Sequence, residues 1–193
     1  LAAATAVAEA MGRTPIRAAD SPGFVANRLA RPFSLESLRI LGDGVADAAT
    51  IDRVVRLGGG FRMGPFELLD LIGLDVNLTI ARYFFAQGGE PERWRPSPIQ
   101  ERLVEEGRLG RKSGAGYYDY DQGKPVAPTR SAVPSVPPAS QKNHATDEVR
   151  GPTLDPKALA EIDPTGPEIL PRLFAKIANE AAFAREEGIA SPG

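Results

Sequence analysis

Asn27 is the first residue whose type asks for an explanation. It sits in "DSPGFVANRLARPF", residues 20–33, among apolar positions with helical spacing. Asn is a mediocre helix former, and a buried amide has to be hydrogen-bonded. Either the amide clips its own helix, or a group outside the helix uses it. Lys112 is a second candidate, in the basic, glycine-rich loop of "GRLGRKSGAGYYDYD", residues 107–121. Other chemistries are excluded early. The chain has one histidine, His144 in the polar stretch "SQKNHATDE", and no cysteine. No Ser/His/Asp triad, His-rich metal cluster, disulfide or thiolate site can be built from these residues. A dinucleotide-binding turn needs Gly-x-Gly-x-x-Gly between a strand and a helix. Gly58, Gly60 and Gly64 instead follow a helical pattern, and Met63 takes the last position of that motif. "GRLGRKSG" is no phosphate loop either, because Arg111 separates the glycine from Lys112 and Ser113.

The elements that must position these residues read as helices. Residues 1–12 form one that ends at Gly12, and "RTPIRAA" is extended. A helix from about Pro22 to Leu41 follows, with Asp20 and Ser21 as caps, Phe24, Val25 and Leu29 as buried positions, and a bend near Pro32. Asp47 is the N-cap of a helix that stops at the glycines 58–60. A single long helix is predicted from Pro65 to the Gly88–Gly89 pair, by its apolar period. Ser97, Pro98 and Gln100 make a capping box for the next helix. Strand signals are sparse, so the expectation is an all-α domain over residues 1–120. From 121 to 167 the chain is rich in Pro, Ser and Ala, which predicts an extended or disordered linker.

Hydrophobic residues make up 42% of the 193 and charged residues 25%, with a net charge of −2: a globular composition without a nucleic-acid footprint. No apolar run is long enough to span a membrane. "LAAATAVAEAMG" lacks the basic start of a signal peptide, so a cytoplasmic location is expected. The first residue is Leu rather than Met, as in a fragment or processed chain.

The tail "ILPRLFAKIANEAAFAREEGIA" (169–190) repeats "VANRLARPFSLESLRILGDGVA" (25–46) without gaps at an offset of 144. Arg28 and Leu29 match Arg172 and Leu173, Glu36 matches Glu180, and Asn27 matches Pro171. Arg28 and Glu36, kept in both copies and two turns apart, read as scaffold. Glu36 lies on the apolar stripe and needs a paired cation or backbone donors. Asn27 escapes that scaffold reading. Residues 168–193 are then the start of a truncated second copy. Its Ile169, Leu173 and Ile177 side must be buried on something, for which a neighbouring chain, by helix swapping, is one candidate.

In order and spacing, "DSPGFVANRLARPFSLESLRIL", "IDRVVRLGGGFRMGPFELLDLIGLD" and "LVEEGRLGRKSGAGYYDY" resemble the C-terminal domain of 3-hydroxyacyl-CoA dehydrogenases, the 3-hydroxybutyryl-CoA enzymes included. The resemblance covers residues 1 to about 120. It implies that Asn27 lies in the active-site cleft, where it positions the acyl-CoA carbonyl and a catalytic histidine. It implies that Lys112 contacts the NAD cofactor and that residues 58–66 line the acyl side. It also implies that the nucleotide-binding (Rossmann) domain, with the His–Glu pair of the family, is a partner outside this sequence. The chain would be the cleft and dimerisation half of an NAD-dependent (S)-3-hydroxyacyl-CoA dehydrogenase, a homodimer inactive without that domain. The alternatives are a non-catalytic helical oligomerisation module and the helical domain of another hydroxyacid dehydrogenase.

Overall fold

The computed structural model describes residues 2–89, 91–128 and 152–189. His144 and most of the Pro-rich stretch lie outside them. Helix α1 spans Ala2–Ala10 and turns at Gly12 into extended chain, as the sequence predicts. It buries no residue, and Val7, Met11 and Ile16 are all exposed.

Helix α2 runs Ala26–Gly42, four residues later than the Pro22 start read from the sequence. Gly23 (φ 75°) and Phe24 (φ 49°) are left-handed, a conformation that a right-handed helix excludes. Asp20 and Ser21 therefore do not cap it; the cap position is Val25, without a side-chain bond. Gly23 is required by close approach, since a Cβ there would overlap the Phe84 ring. Phe24 is turned outward and 57% exposed, so it is not the core residue its apolar type predicts. The helix continues through the buried Pro32.

Helix α3 (Ala48–Gly59) starts where Asp47 accepts from the Thr50 N–H at 2.8 Å, and stops at the left-handed Gly60. The long helix expected from Pro65 is two, α4 (Pro65–Ile72) and α5 (Leu74–Gln87), broken at Gly73 with φ 101°. Helix α6 (Pro98–Glu105) has Pro98 in its first turn, but the Ser97 capping box does not form. Gln100 is instead wholly buried and donates to the Leu74 carbonyl at 3.0 Å and to Asn77 Oδ1 at 3.2 Å, tying α6 to α5. A hairpin that the sequence reading missed pairs β1 (Tyr118–Asp121) with β2 (Lys124–Pro128). Its turn, Gln122–Gly123, has positive φ at both positions, the geometry of a tight hairpin.

The linker expected over 121–167 therefore holds a strand and also a helix, α7 (Pro156–Ile162). Leu159 of α7 is fully buried, and Gly58 makes room for it: a Cβ at 58 would stand 2.6 Å from Leu159 Cδ2. Helix α8 (Gly166–Glu186) follows and packs along α2 and α3. Leu159, Ile169, Leu170 and Leu173 share one core with Ile40, Leu41, Ile51, Val54, Phe66 and Leu69. The apolar side of α8 is thus covered within its own chain. Helix swapping is not needed, because Leu159 anchors the chain beside α3 just before α8 returns onto α2.

The α2–α8 contact is reciprocal. Arg28 Nε donates to Glu180 Oε1 at 2.6 Å, and Arg172 Nε donates to Glu36 Oε1 at 2.6 Å. Arg28 also reaches Glu187 at 2.9 Å and Arg172 reaches Asp43 at 2.6 Å, acids that are themselves 144 residues apart. Each arginine pairs with the two acids of the other segment, the pattern of a self-complementary interface about a two-fold axis. Glu36 has the cation its position demanded.

Candidate functional site

Asn27 stands in the first turn of α2. Its backbone N–H donates to the Gly23 carbonyl at 3.2 Å, while the residue is exposed and its side chain makes no hydrogen bond among the described residues. The clip that one reading of the sequence assigns to this amide is absent from the described residues. An exposed carboxamide beside the positive end of a 17-residue helix can donate to a carbonyl or alkoxide oxygen brought to it.

Beneath Asn27 lies a buried layer that is aromatic and basic. Phe84 of α5 lies against Gly23, Arg31 stands over its ring at 5.1 Å, and Trp94 meets it edge-on at 5.8 Å. Along α5, Val76, Ile80 and Tyr83 form an exposed apolar stripe at helical spacing, continued by Leu71 and Ile72 of α4.

Lys112 lies at the other end of α5. Its Nζ donates to both carboxylate oxygens of Asp75, at 2.6 and 2.7 Å, and that ion pair holds the Asp75 carboxyl below its ordinary range. Both side chains remain substantially exposed. From Asp75 to Phe84, α5 rises about 14 Å at ~1.5 Å per residue. The structure thus does not bring Asn27 and Lys112 together; it sets them at opposite ends of one partly uncovered helix.

Two buried carboxylates hold this scaffold. Asp52 accepts from the Phe66 and Glu67 N–H groups at 2.8 and 2.9 Å, doing for α4 what Gly64, without a side chain, cannot. Tyr118 also donates to it at 2.7 Å. Burial pushes the Asp52 carboxyl up to about 7 against those three donors. Asp70 accepts from the Tyr117 and Tyr118 N–H groups and the Tyr120 hydroxyl, and burial raises it too. Neither was singled out from the sequence; the signal was a carboxylate in an otherwise apolar helix face at "IDRVV" and "FELLDLI". Arg31, an arginine four residues after Asn27 within an apolar run, was also passed over.

The residues present do not hold a dinucleotide by themselves. The sequence has no Gly-x-Gly-x-x-Gly turn, and Lys112 is an exposed lysine with a carboxylate partner. Among the described residues no cluster of His, Asp or Glu could hold a metal ion. No described helix is long and apolar enough to cross a membrane.

Fold and site together define a helical domain that offers an exposed amide at a helix start. The family model described as "3-hydroxyacyl-CoA dehydrogenase, C-terminal domain" matches residues 23–120, and the chain belongs to that family. It is 47% identical over 109 residues to the 3-hydroxyadipyl-CoA dehydrogenase of Escherichia coli K12, a match covering 56% of this chain and 23% of that protein. To a probable 3-hydroxybutyryl-CoA dehydrogenase of Deinococcus radiodurans it is 43% identical over 116 residues, 60% of this chain and 41% of the relative. The chain thus spans well under half the length of these relatives. The crystal structure of the 3-hydroxybutyryl-CoA dehydrogenase from E. coli K12 substr. MG1655 superposes with a TM-score of 0.70 at 29% identity, over 96% of this chain and 51% of that one. That coverage takes in α7 and α8 as well as residues 23–120.

Proposed function

We propose that this chain is the substrate-cleft and dimerisation half of an NAD-dependent (S)-3-hydroxyacyl-CoA dehydrogenase, the enzyme that converts a 3-hydroxyacyl-CoA to the 3-oxoacyl-CoA. The observation that carries the reading is Asn27, exposed and unengaged at the start of α2 in a chain of this family. Its amide holds the acyl-CoA carbonyl and orients a histidine supplied by the nucleotide-binding domain. Lys112 meets the cofactor at the far end of α5. Supporting the partner domain are the uncovered apolar residues: Val7, Met11 and Ile16 about α1, and Val76, Ile80 and Tyr83 on α5. Because acyl-CoA thioesters are made and used inside cells, the cytoplasm is the proposed compartment.

The domain reading is residues 1–120 as the helical dehydrogenase domain and 168–193 as the start of a second copy. The reciprocal pairs of Arg28 and Arg172 support that duplication, and they favour α8 as an internal stand-in for a second α2.

The test is Asn27→Ala in the protein that carries this chain with its nucleotide-binding domain. Turnover of a 3-hydroxyacyl-CoA should fall about 100-fold or more, the scale of losing one donor to a developing charge. The melting temperature should not move, since an exposed side chain is removed. Kinetics near wild type would take Asn27 out of the mechanism.

A further inference from the structure

Arg31 is buried without the partners a buried charge requires. It is 7% exposed, and its Nε and Nη1 are buried with no hydrogen-bond partner among the described residues. Arg28, three residues earlier, donates to both Glu180 and Glu187. Arg31 has instead the face of Phe84, its guanidinium carbon 5.1 Å from the ring centroid. A cation–π contact returns much less than burying an unpaired charge costs. Burial accordingly draws the guanidinium below its ordinary value, with no acid opposing it.

Its position gives the orphan a use. The Phe84 ring occupies the space that Gly23 leaves by lacking a Cβ, and a Cβ at 23 would lie 3.0 Å from that of Asn27. Gly23, Asn27 and Arg31 succeed one another at four-residue spacing along the side of the chain that meets Phe84. The exposed amide of Asn27 therefore stands next to a buried aromatic ring and a buried guanidinium whose Nε and Nη1 lack partners among the described residues.

We propose that Arg31 is an anion subsite that receives a carboxylate at the far end of the acyl chain, so that the substrates are 3-hydroxyacyl-CoA thioesters of dicarboxylic acids. The proposal rests on the dehydrogenase reading above. The guanidinium edge suits a planar carboxylate, to which it can donate two parallel hydrogen bonds. One helical turn separates Asn27 from Arg31, about 5–6 Å between Cβ atoms, so a chain a few carbons long spans them. The phosphates of coenzyme A leave from the opposite, thioester side of the carbonyl that Asn27 addresses, and do not compete for this place.

The test compares wild type, Arg31→Met and Arg31→Lys in the intact protein on two six-carbon thioesters, 3-hydroxyadipyl-CoA with a terminal carboxylate and 3-hydroxyhexanoyl-CoA without. In Arg31→Met the ratio of kcat/KM, dicarboxylic over neutral, should fall about 10- to 100-fold, chiefly through KM for the dicarboxylic thioester. Arg31→Lys should keep part of the preference. The melting temperature of Arg31→Met should equal or exceed wild type, because an unpaired buried charge is exchanged for an apolar side chain of similar length. An unchanged ratio overturns the subsite alone, including the case in which a carboxylate of the nucleotide-binding domain occupies Arg31. A parallel fall on both thioesters with a lower melting temperature also overturns it, in favour of a structural arginine. Failure of the wild-type protein to oxidise either thioester overturns the dehydrogenase reading and the subsite with it.

Discussion

At Asn27 and Asp52 the same question, who satisfies a polar side chain, has opposite answers. Asn27 keeps its amide free and exposed, whereas Asp52 is buried under three donors that fix α4 and the start of β1. Burial has a consequence for stability. The folded-state pKa of Asp52 is about 7 against an ordinary 3.8, so the folded protein holds a proton that the unfolded chain has released between those values. Its contribution is therefore fully present below about pH 4 and declines as pH rises to about 7. Urea midpoints measured across that range should fall with pH in the wild type and fall less steeply in Asp52→Asn. Equal slopes would mean that Asp52 titrates normally. The residue scale was only partly legible in the sequence: Asn27 and Glu36 declared themselves by being polar in apolar helices. Asp52, Asp70 and Arg31 carried the same signal, but their roles were not readable, because these depend on donors and rings brought from elsewhere in the chain.

Helix starts and stops were legible where a local chemical signal fixes them, and illegible where a distant contact does. Asp47 and Gly60 bound α3 through a side-chain cap and a left-handed glycine, both readable locally. Ser97 looked like a cap, but Gln100, its expected reciprocal partner, is drawn into the core by Leu74 and Asn77. The start of α2 was misplaced because Gly23 answers to Phe84, some sixty residues on, and Phe24 after it is also left-handed. The hairpin escaped notice because its strands are four and five residues long. The ion pairs between α2 and α8 were foreshadowed by the repeat, and they carry a prediction at this scale. Arg28→Ala takes from buried Glu180 its shortest partner and leaves it the longer bonds from Arg93 and Trp94, at 3.2 and 3.3 Å, which should cost about 1.5–3 kcal/mol in chemical denaturation. The double variant Arg28→Met with Glu180→Leu should recover most of that loss. A single variant of wild-type stability would show that the pair does not hold α8 on α2.

For the whole molecule, the distribution of burial separates what the chain completes from what it leaves open. The core from α2 to α8 is continuous, and the segment read as a linker contributes Leu159 to it. The misreading of its described end, residues 152–167, came from composition: Pro- and Ala-rich sequence predicts disorder, yet a short helix with one leucine can dock where Gly58 makes a socket. The family match ends at residue 120, while the packing continues to Ile189. The face of α5 between Asn27 and Lys112, and the whole of α1, remain open. We propose that this face closes a cleft whose base and hydride acceptor are carried by a nucleotide-binding domain. NADH formation from a 3-hydroxyacyl-CoA, followed with the isolated 193-residue chain and with the same chain joined to that domain, tests this most directly. The predicted result is no NADH above the uncatalysed rate from the chain alone and steady turnover from the joined protein. Turnover by the isolated chain would contradict it.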